Sequence, residues 1–272
     1  ERFLKDAWQV VLATAEDDES RELVRGWAIL ESVAFNRRGL SPLADWRAGR
    51  KLRQAMQKRS PALVHFFHAK PVIIGTLAAR WALGDDVRIL NTITGLGHAF
   101  MENKIVARLA GTGYQMALSK ADMTIFQNRD DRAFFLKHGW LPQQKATLIA
   151  GSGVPLERFP YIDRSGRDPS RPIVAMLARL LNQKGIPEFA RVARSVKSVI
   201  PGARFLLAGE QDPSHRDALD MDWLLGQSHI EYLGRLNNVV SLLEQADLLV
   251  FPSYYREGIP RVVLEAAATG LP

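Results

Sequence analysis

The chain has 272 residues, 47% of them hydrophobic and 24% charged, with a formal charge of +7 at pH 7. That length suits two domains, and the ordinary composition excludes disordered and collagen-like chains. Cysteine is absent, which excludes disulfides, a thiolate nucleophile and cysteine-ligated metal centres. No apolar run approaches the roughly 20 residues of a membrane span, and the first residues lack a signal-peptide layout, so we expect a cytoplasmic protein.

Strand and helix patterns alternate along the chain. In the first half they predict strands at 8–13, 27–33, 63–67, 87–93, 123–127 and 147–150, and helices near 42–59, 72–83, 99–120 and 130–138. In the second half they predict strands at 173–177, 204–208, 230–233 and 248–251, and helices near 186–199, 238–246 and 259–268. This alternation favours α/β folding, with parallel sheets covered by helices on both faces.

Residues 151–172 interrupt the alternation. The segment is rich in glycine and proline and lacks helical or strand periodicity, which is typical of an interdomain linker. We therefore predict an N-terminal Rossmann-like lobe at 1–160 and a C-terminal Rossmann-like lobe at 161–272. In open α/β sheets ligands bind at the carboxyl ends of the strands, so a cleft between the two lobes is the expected site.

The positive charge is concentrated in the first half. Residues 1–165 hold 24 Lys and Arg against 17 Asp and Glu, whereas residues 166–272 hold 12 of each. Much of the excess lies in 37–59, where Leu43, Trp46, Leu52 and Met56 are interpreted as one apolar stripe of a basic amphipathic helix over 42–59.

Three interpretations of this basic helix stay open. It can pack its stripe on the core with a solvated basic back, dock on the anionic inner face of the plasma membrane, or bind nucleic acid. The sequence has no basic motif interleaved with aromatic residues and no zinc-ligand spacing, so nucleic acid is not expected as a partner.

The most informative segment closes the chain. A buried strand at 248–251 runs into a turn in which Gly258 allows a close backbone approach, and Pro260 suits the first turn of the next helix. Free amides at that helix start favour an anion. Glu257 and Glu265 stand eight positions apart, so two carboxylates can accept from hydroxyls at different depths.

These residues carry a family resemblance. The frame from Pro252 to Ala266, with the Glu257 and Glu265 pair, resembles the signature of retaining glycosyltransferase family 4, which has the GT-B fold. Three further segments support it: 178–185 with Arg179 and Lys184 five apart, Phe205-Leu206-Leu207-Ala208-Gly209-Glu210, and Asn91-Thr92-Ile93-Thr94-Gly95-Leu96-Gly97-His98. The last, with Lys70-Pro71 ahead of it, is similar to the branch that builds capsular polysaccharide and O-antigen.

The resemblance implies a role for each matching residue of the second lobe. Arg179 and Lys184 would hold the donor diphosphate and oppose the charge that leaves with the nucleotide. Glu265 would accept from the ribose hydroxyls. Glu257 would accept from hydroxyls of the donor sugar, with the backbone of Gly258, Ile259, Pro260 and Arg261 alongside.

In the first lobe the resemblance implies that His98 faces the transferred sugar from across the cleft, after the turn that contains Gly95 and Gly97. His65 and His68 are interpreted as structural. Asp220-Met221-Asp222 fits a metal-binding aspartate pair, but the polar face of a helix is the preferred interpretation, and no metal site is expected.

The implied activity is transfer of a sugar from a nucleotide diphosphate, with UDP favoured over GDP, to a lipid-linked or growing surface glycan with retained anomeric configuration. No cofactor is required. Two rival functions remain open, a GT-B sugar-nucleotide epimerase and a nucleotide-sugar binding module without catalysis. The chain is expected to be a fragment that lacks both termini of the family, and Pro155 stands where the family has Asp in its linker.

Overall fold

The computed structural model describes residues 8–35, 41–96, 104–255 and 258–272, with the backbone alone for 104–106. The chain divides into two compact units, Glu1–Ile149 and Ala150–Pro272. Each unit has its own parallel sheet, as the alternation of strands and helices predicted.

The first unit contains two parallel sheets. Strands β1 (Val11–Thr14) and β2 (Ile29–Ser32) pair with each other. The main sheet has the order β3 (Leu63–Phe67), β4 (Arg88–Ile93), β5 (Met123–Phe126) and β6 (Ala146–Leu148). The helices of the unit are α1 (Asp18–Val24), α2 (Pro42–Arg59), α3 (Thr76–Leu83), α4 (Lys104–Lys120) and α5 (Arg129–Lys137).

Helix α1 was not predicted. It spans only seven residues and begins with a capping box, in which Asp17 accepts from the Ser20 amide at 2.7 Å and the Ser20 hydroxyl accepts from the Asp17 amide at 2.9 Å. The predicted helix at 72–83 is also modified, because Pro71–Gly75 forms a π-helical turn before α3. A Cβ on Gly75 would lie 2.6 Å from the Phe66 ring, so glycine allows this turn to approach strand β3.

Helix α2 has the predicted limits, but the single apolar stripe is wrong. Leu52 and Met56 are buried in the core of the unit, whereas Leu43 and Trp46 are each 59% exposed. At about 100° per residue, Leu43 lies opposite Leu52, and Trp46 is about 120° from Leu52, so the four side chains do not form one stripe. The solvent face of α2 therefore combines cations with two large apolar side chains.

The second unit is built on one parallel sheet in the order β10 (Leu248–Leu249), β7 (Ile173–Leu177), β8 (Arg204–Ala208) and β9 (Glu231–Tyr232). Its helices are α6 (Ile186–Val199), α7 (Met221–Leu225), α8 (Val240–Gln245) and α9 (Arg261–Ala268). Val174 and Met176 belong to one apolar core and Ala175 to another. Successive strand residues point to opposite faces, so both faces of the sheet are buried.

The segment between the predicted lobes is attached to the second unit. Phe159 is buried in one of its cores, and the Arg164 guanidinium donates to the carbonyl oxygens of Leu243, Ala246 and Thr269 at 2.8, 2.9 and 2.7 Å. These bonds satisfy carbonyls at the ends of α8 and α9. The part of the predicted linker around Arg164 is therefore fixed on the second unit.

Asp122 joins β4 and β5 through charge-assisted hydrogen bonds. Its carboxylate accepts from the Ile89 amide at 2.7 Å and pairs with Arg80 and Arg88 at 2.9 and 3.0 Å. Burial alone would raise the pKa of Asp122, but the Ile89 amide and the two guanidinium groups outweigh it and hold the pKa below its ordinary value.

We therefore expect Asp122→Asn to lower the free energy of unfolding at pH 7 by about 1–2 kcal/mol, because it weakens hydrogen bonds to a charged acceptor. The folded-state pKa is depressed, so the stabilisation is present above about pH 4 and is lost as the pH falls through the folded-state pKa. Urea unfolding from pH 7 to pH 2.5 measures this. A variant that is equally destabilised at both ends of that range would contradict the assignment.

Candidate active site

The site predicted in the second unit is built on the carboxyl ends of β7 and β10. These strands are parallel neighbours, with Leu248 opposite Val174. After β7 the chain passes exposed Arg179 and buried Leu180 and Leu181, then forms a 3₁₀ turn, Asn182–Lys184, before α6. Because parallel strands end at the same edge of a sheet, this turn lies beside the segment that follows β10.

Asp217 fixes the turn that contains Lys184. The Gln183 amide donates to Asp217 Oδ2 at 2.9 Å, and the Asn182 amide donates to the Asp217 carbonyl at 3.0 Å. On the other side, the Tyr254 amide donates to the Gln183 carbonyl at 3.1 Å. The turn is therefore attached both to the segment after β8 and to the segment after β10.

Lys184 lies among aromatic rings. Its side chain is buried, with 5% of the residue exposed, and Nζ is 5.5 Å from the centre of the Phe251 ring and 4.8 Å from that of Tyr255. Cation–π attraction to the two rings offsets part of the desolvation cost of the ammonium group. The sequence predicted Lys184 as a donor ligand but did not single out Phe251 or Tyr255 as its neighbours.

Gly185 allows the two segments to approach this closely. Its φ is +80°, and a Cβ at this position would lie 2.5 Å from the carbonyl oxygen of Pro252. At the end of β8 a Cβ on Gly209 would collide with the Ala178 carbonyl. Glycine at these two positions therefore lets the segments after β7, β8 and β10 pack backbone against backbone.

Helix α9 provides the second part of the site. Pro260 stands at the N-cap, and the helix runs from Arg261 to Ala268. Glu265 is buried, with 7% of the residue exposed, and its Oε1 accepts from Arg261 Nε at 2.8 Å. The first amides of a helix lack intrahelical partners, so this end of α9 carries partial positive charge.

A groove of about 400 Å³ borders the start of α9. It is lined by Arg261 and by the segment from Ser152 to Pro155. Gly151, just before that segment, has a φ of +68°, and a Cβ there would lie 2.8 Å from the Leu264 side chain. Segment 151–155 therefore packs on α9 and forms one wall of the groove.

The predicted residues of the first unit are only partly described. Gly95 follows β4, whereas Gly97 and His98 lie outside the described residues, as does Glu257 of the second unit. His65 Nε2 lies 2.7 Å from Thr92 Oγ1, and His68 Nδ1 lies 3.0 Å from Thr94 Oγ1. Partial burial lowers the pKa of His65, so this ring is a neutral hydrogen-bonding partner at pH 7.

Asp220 serves as a helix cap. Its side chain accepts from the amides of Asp222 and Trp223 at 2.9 and 3.5 Å, at the start of α7. Within the described ranges, no three His, Asp or Glu side chains are grouped as metal ligands. Nor does any helix there combine the length and apolarity that a bilayer-spanning segment requires.

Two protein families match the chain. The family "Glycosyl transferase 4-like" matches residues 1–128, and "Glycosyl transferases group 1" matches residues 157–272. The chain is a group 1, family 4-like glycosyltransferase. The predictions of family, of the GT-B fold class and of a transferase activity are therefore confirmed.

Similar glycosyltransferases come from several bacteria. The N,N'-diacetylbacillosaminyl-diphospho-undecaprenol alpha-1,3-N-acetylgalactosaminyltransferase of Campylobacter jejuni is 28% identical over 99% of this chain and 73% of its own length. The UDP-Gal:alpha-D-GlcNAc-diphosphoundecaprenol alpha-1,3-galactosyltransferase of Escherichia coli is 26% identical over 86% of this chain, which spans 62% of that enzyme.

Among solved structures, HepE of Anabaena in complex with UDP and glucose superposes with a TM-score of 0.70 and 15% identity, over 97% of this chain and 80% of HepE. A glycosyltransferase from Rickettsia africae superposes with a TM-score of 0.68 and 16% identity, over 99% of this chain and 72% of that protein. At these identities the structures support the glycosyltransferase fold.

We expect Gly185→Ala to lower the stability of the glycosyltransferase by about 1–3 kcal/mol, because it places a Cβ against the Pro252 backbone in a left-handed conformation. Thermal unfolding measures the loss. Gly166→Ala is the matched control, since a Cβ there meets nothing within 4 Å. Equal melting temperatures for the two variants would show that the close packing of Gly185 and Pro252 is not required.

Proposed function

We propose that this glycosyltransferase moves a sugar from a nucleotide diphosphate, with UDP favoured, to a lipid-linked glycan and retains the anomeric configuration. In this proposal the first unit binds the acceptor and the second unit binds the nucleotide sugar. The observation that carries the proposal is the joint placement of Arg179, Lys184 and the start of α9 at one edge of the second sheet.

The charges at this edge suit a diphosphate. Arg179 is exposed and lies two residues after the end of β7, and Lys184 is held in a turn fixed by Asp217. Cations held in place before the reaction stabilise the charge that develops on a departing nucleotide better than water does, because they need little reorganisation. In this account the cations and helix amides supply the positive potential, and a metal ion is not required.

The remaining predicted residues receive roles around the sugar. Glu265 accepts from the ribose hydroxyls, and Glu257 from hydroxyls of the donor sugar beside the 258–261 backbone. His98 and the turn with Gly95 and Gly97 contact the transferred sugar. Retention then proceeds by same-face displacement, in which the acceptor oxygen bonds to the anomeric carbon as the bond to the phosphate breaks. The leaving phosphate takes the acceptor proton.

The relatives support the acceptor class. The names of both the Campylobacter and the Escherichia enzymes specify a sugar linked to diphospho-undecaprenol and an alpha-1,3 linkage. The Escherichia enzyme is also named for UDP-Gal, and HepE was solved with UDP and glucose. A UDP-sugar donor and a polyprenyl diphosphate acceptor are therefore the first substrates to test.

We expect nucleotide release from a UDP-sugar to rise strongly when a sugar diphospho-undecaprenol is added, and to continue in EDTA. The assay screens UDP-, GDP- and dTDP-sugars with the full-length protein, and product NMR reports the anomeric configuration. Lys184→Met should lower turnover by about 10²-fold or more, since it removes a fixed charge at the diphosphate. Lys197→Met, in the last turn of α6, is the control.

Four results would count against parts of this proposal. An inverted product would exclude retention, and loss of turnover in EDTA would exclude the metal-independent account. Conversion of the donor to an epimer without acceptor would exclude the sugar-transfer assignment for that donor. Full activity of Lys184→Met would remove this lysine from the donor site.

We propose in addition that the solvent face of α2 brings the first unit to an anionic membrane surface on the cytoplasmic side. Exposed Leu43 and Trp46 share that face with Arg47, Arg50 and Lys51, and Arg50 lies 5.8 Å from the centre of the Trp46 ring. Next to α2, Trp81 of α3 is 73% exposed, with the Arg53 guanidinium 3.9 Å from its ring centre. Exposed tryptophans among cations are typical of interfacial binding.

We expect wild-type protein to float with vesicles that contain phosphatidylglycerol, and Arg50→Glu with Lys51→Glu to weaken vesicle binding by about 30-fold or more, since each of the two lost cations contributes about 1 kcal/mol near an anionic surface. Trp46→Ser should reduce flotation without changing the net charge. Arg191→Glu with Arg194→Glu on α6 is the charge-matched control. Equal flotation of all variants would refute the docking face.

A further inference from the structure

The Arg261–Glu265 pair combines an exposed and a buried partner. The two residues stand one turn apart on α9, and Arg261 Nε lies 2.8 Å from Glu265 Oε1. The Arg261 side chain is 59% exposed, whereas that of Glu265 is 9% exposed. The buried carboxylate is thus held by a cation that reaches it from the solvent side.

Helix stability does not account for this pair. In an i, i+4 pair the favourable order places the acid nearer the helix N-terminus, and here the order is reversed. Arg261 is the first residue of α9, where the helix dipole disfavours a cation. The placement of the pair therefore does not favour the stability of α9. This indicates that the pair serves to fix the position of the carboxylate.

The same arginine lines the groove beside α9. Arg261 forms its border together with Ser152, Gly153, Val154 and Pro155. Part of the Arg261 side chain therefore faces the groove, while its Nε contacts Glu265. A ligand in this groove would lie against the group that fixes the orientation of Glu265.

We propose that Arg261 is a positioning residue that holds Glu265 in the orientation in which it accepts from the donor ribose hydroxyls. The inference rests on the ribose role proposed for Glu265 above. A carboxylate has lone pairs for about four hydrogen bonds, so the bond from Nε to Oε1 leaves acceptor capacity for a hydroxyl. Fixing the side chain before binding lowers the entropy cost of ordering it on the ligand.

The test compares the affinities of UDP and 2′,3′-dideoxy-UDP by calorimetry on the full-length protein. We expect Glu265→Gln to lower the affinity for UDP about tenfold and to leave the affinity for the dideoxy nucleotide almost unchanged, because the two ligands differ only in the hydroxyl pair. Arg261→Met should lower the affinity for UDP about fivefold and should also leave the affinity for the dideoxy nucleotide almost unchanged. The double variant should bind UDP no more weakly than Glu265→Gln alone.

Arg191→Met removes an exposed arginine from a pair with Glu188 on α6 and is the matched control. Its affinities for both nucleotides should equal those of the wild type, and melting curves check that every variant is folded. A general structural defect would weaken the binding of both nucleotides alike. The ratio of the two affinities therefore isolates the contribution of the ribose hydroxyls to binding.

The outcomes separate the two proposals. If Glu265→Gln keeps the wild-type ratio of affinities, Glu265 does not bind the ribose, and the positioning role fails with it. If Glu265→Gln removes the preference for UDP over the dideoxy nucleotide while Arg261→Met keeps it, the positioning role is wrong and the ribose role stands. The same conclusion holds if the losses of UDP affinity in the two single variants add in the double variant.

Discussion

The parallel pairing of β7 with β10 is the constraint on which the site of the second unit depends. It brings the ends of two strands that are far apart in sequence to one edge of the sheet. The Tyr254 amide then bonds to the Gln183 carbonyl, and Gly185 packs on the Pro252 backbone. Only with these contacts does Lys184 lie against Phe251 and Tyr255. The lysine is therefore positioned by the sheet and by the packing of two loops, more than by its own turn.

Burial of charged groups follows one rule at this site and elsewhere in the protein. Lys184 contacts two rings, Glu265 has Arg261, and Asp122 has two guanidinium groups and a backbone amide. Removing one partner of such a group leaves a desolvated charge, which costs more than the loss of an exposed pair. These charged groups are consequently held in place before any ligand binds, so at the proposed donor site a ligand would not have to supply the energy of ordering Lys184 and Glu265.

The sequence predicts this fold well where one residue pattern dominates. The limits of α2, α6, β3, β7 and β8 were predicted to the residue, since caps or breakers flank them and, except on α2, their apolar pattern is strong. Helix α1 was missed because seven residues carry too little periodicity. The stripe on α2 was wrong, since Leu43 lies opposite Leu52 on the helix and Trp46 lies about 120° from Leu52, and both Leu43 and Trp46 are exposed. Motif spacing selected Lys184 and Glu265 as candidate site residues, but not Asp217, which contacts the Lys184 turn only through folding. The i, i+4 spacing of Arg261 and Glu265 was a signal that could have found their pair.

The two units differ in how they use charge. Residues 1–165 carry the whole formal excess, and on α2 several of those cations share a solvent face with exposed Leu43 and Trp46. Residues 166–272 are neutral overall, yet Arg179, Lys184 and the start of α9 collect positive potential at one sheet edge. A broad basic surface attracts an extended anionic surface and is sensitive to salt, whereas partly buried cations act on one ligand and are screened less. Raising the ionic strength should therefore weaken the proposed membrane attraction well before it weakens the proposed binding of a diphosphate, and that difference allows the two proposed roles to be measured separately in one protein.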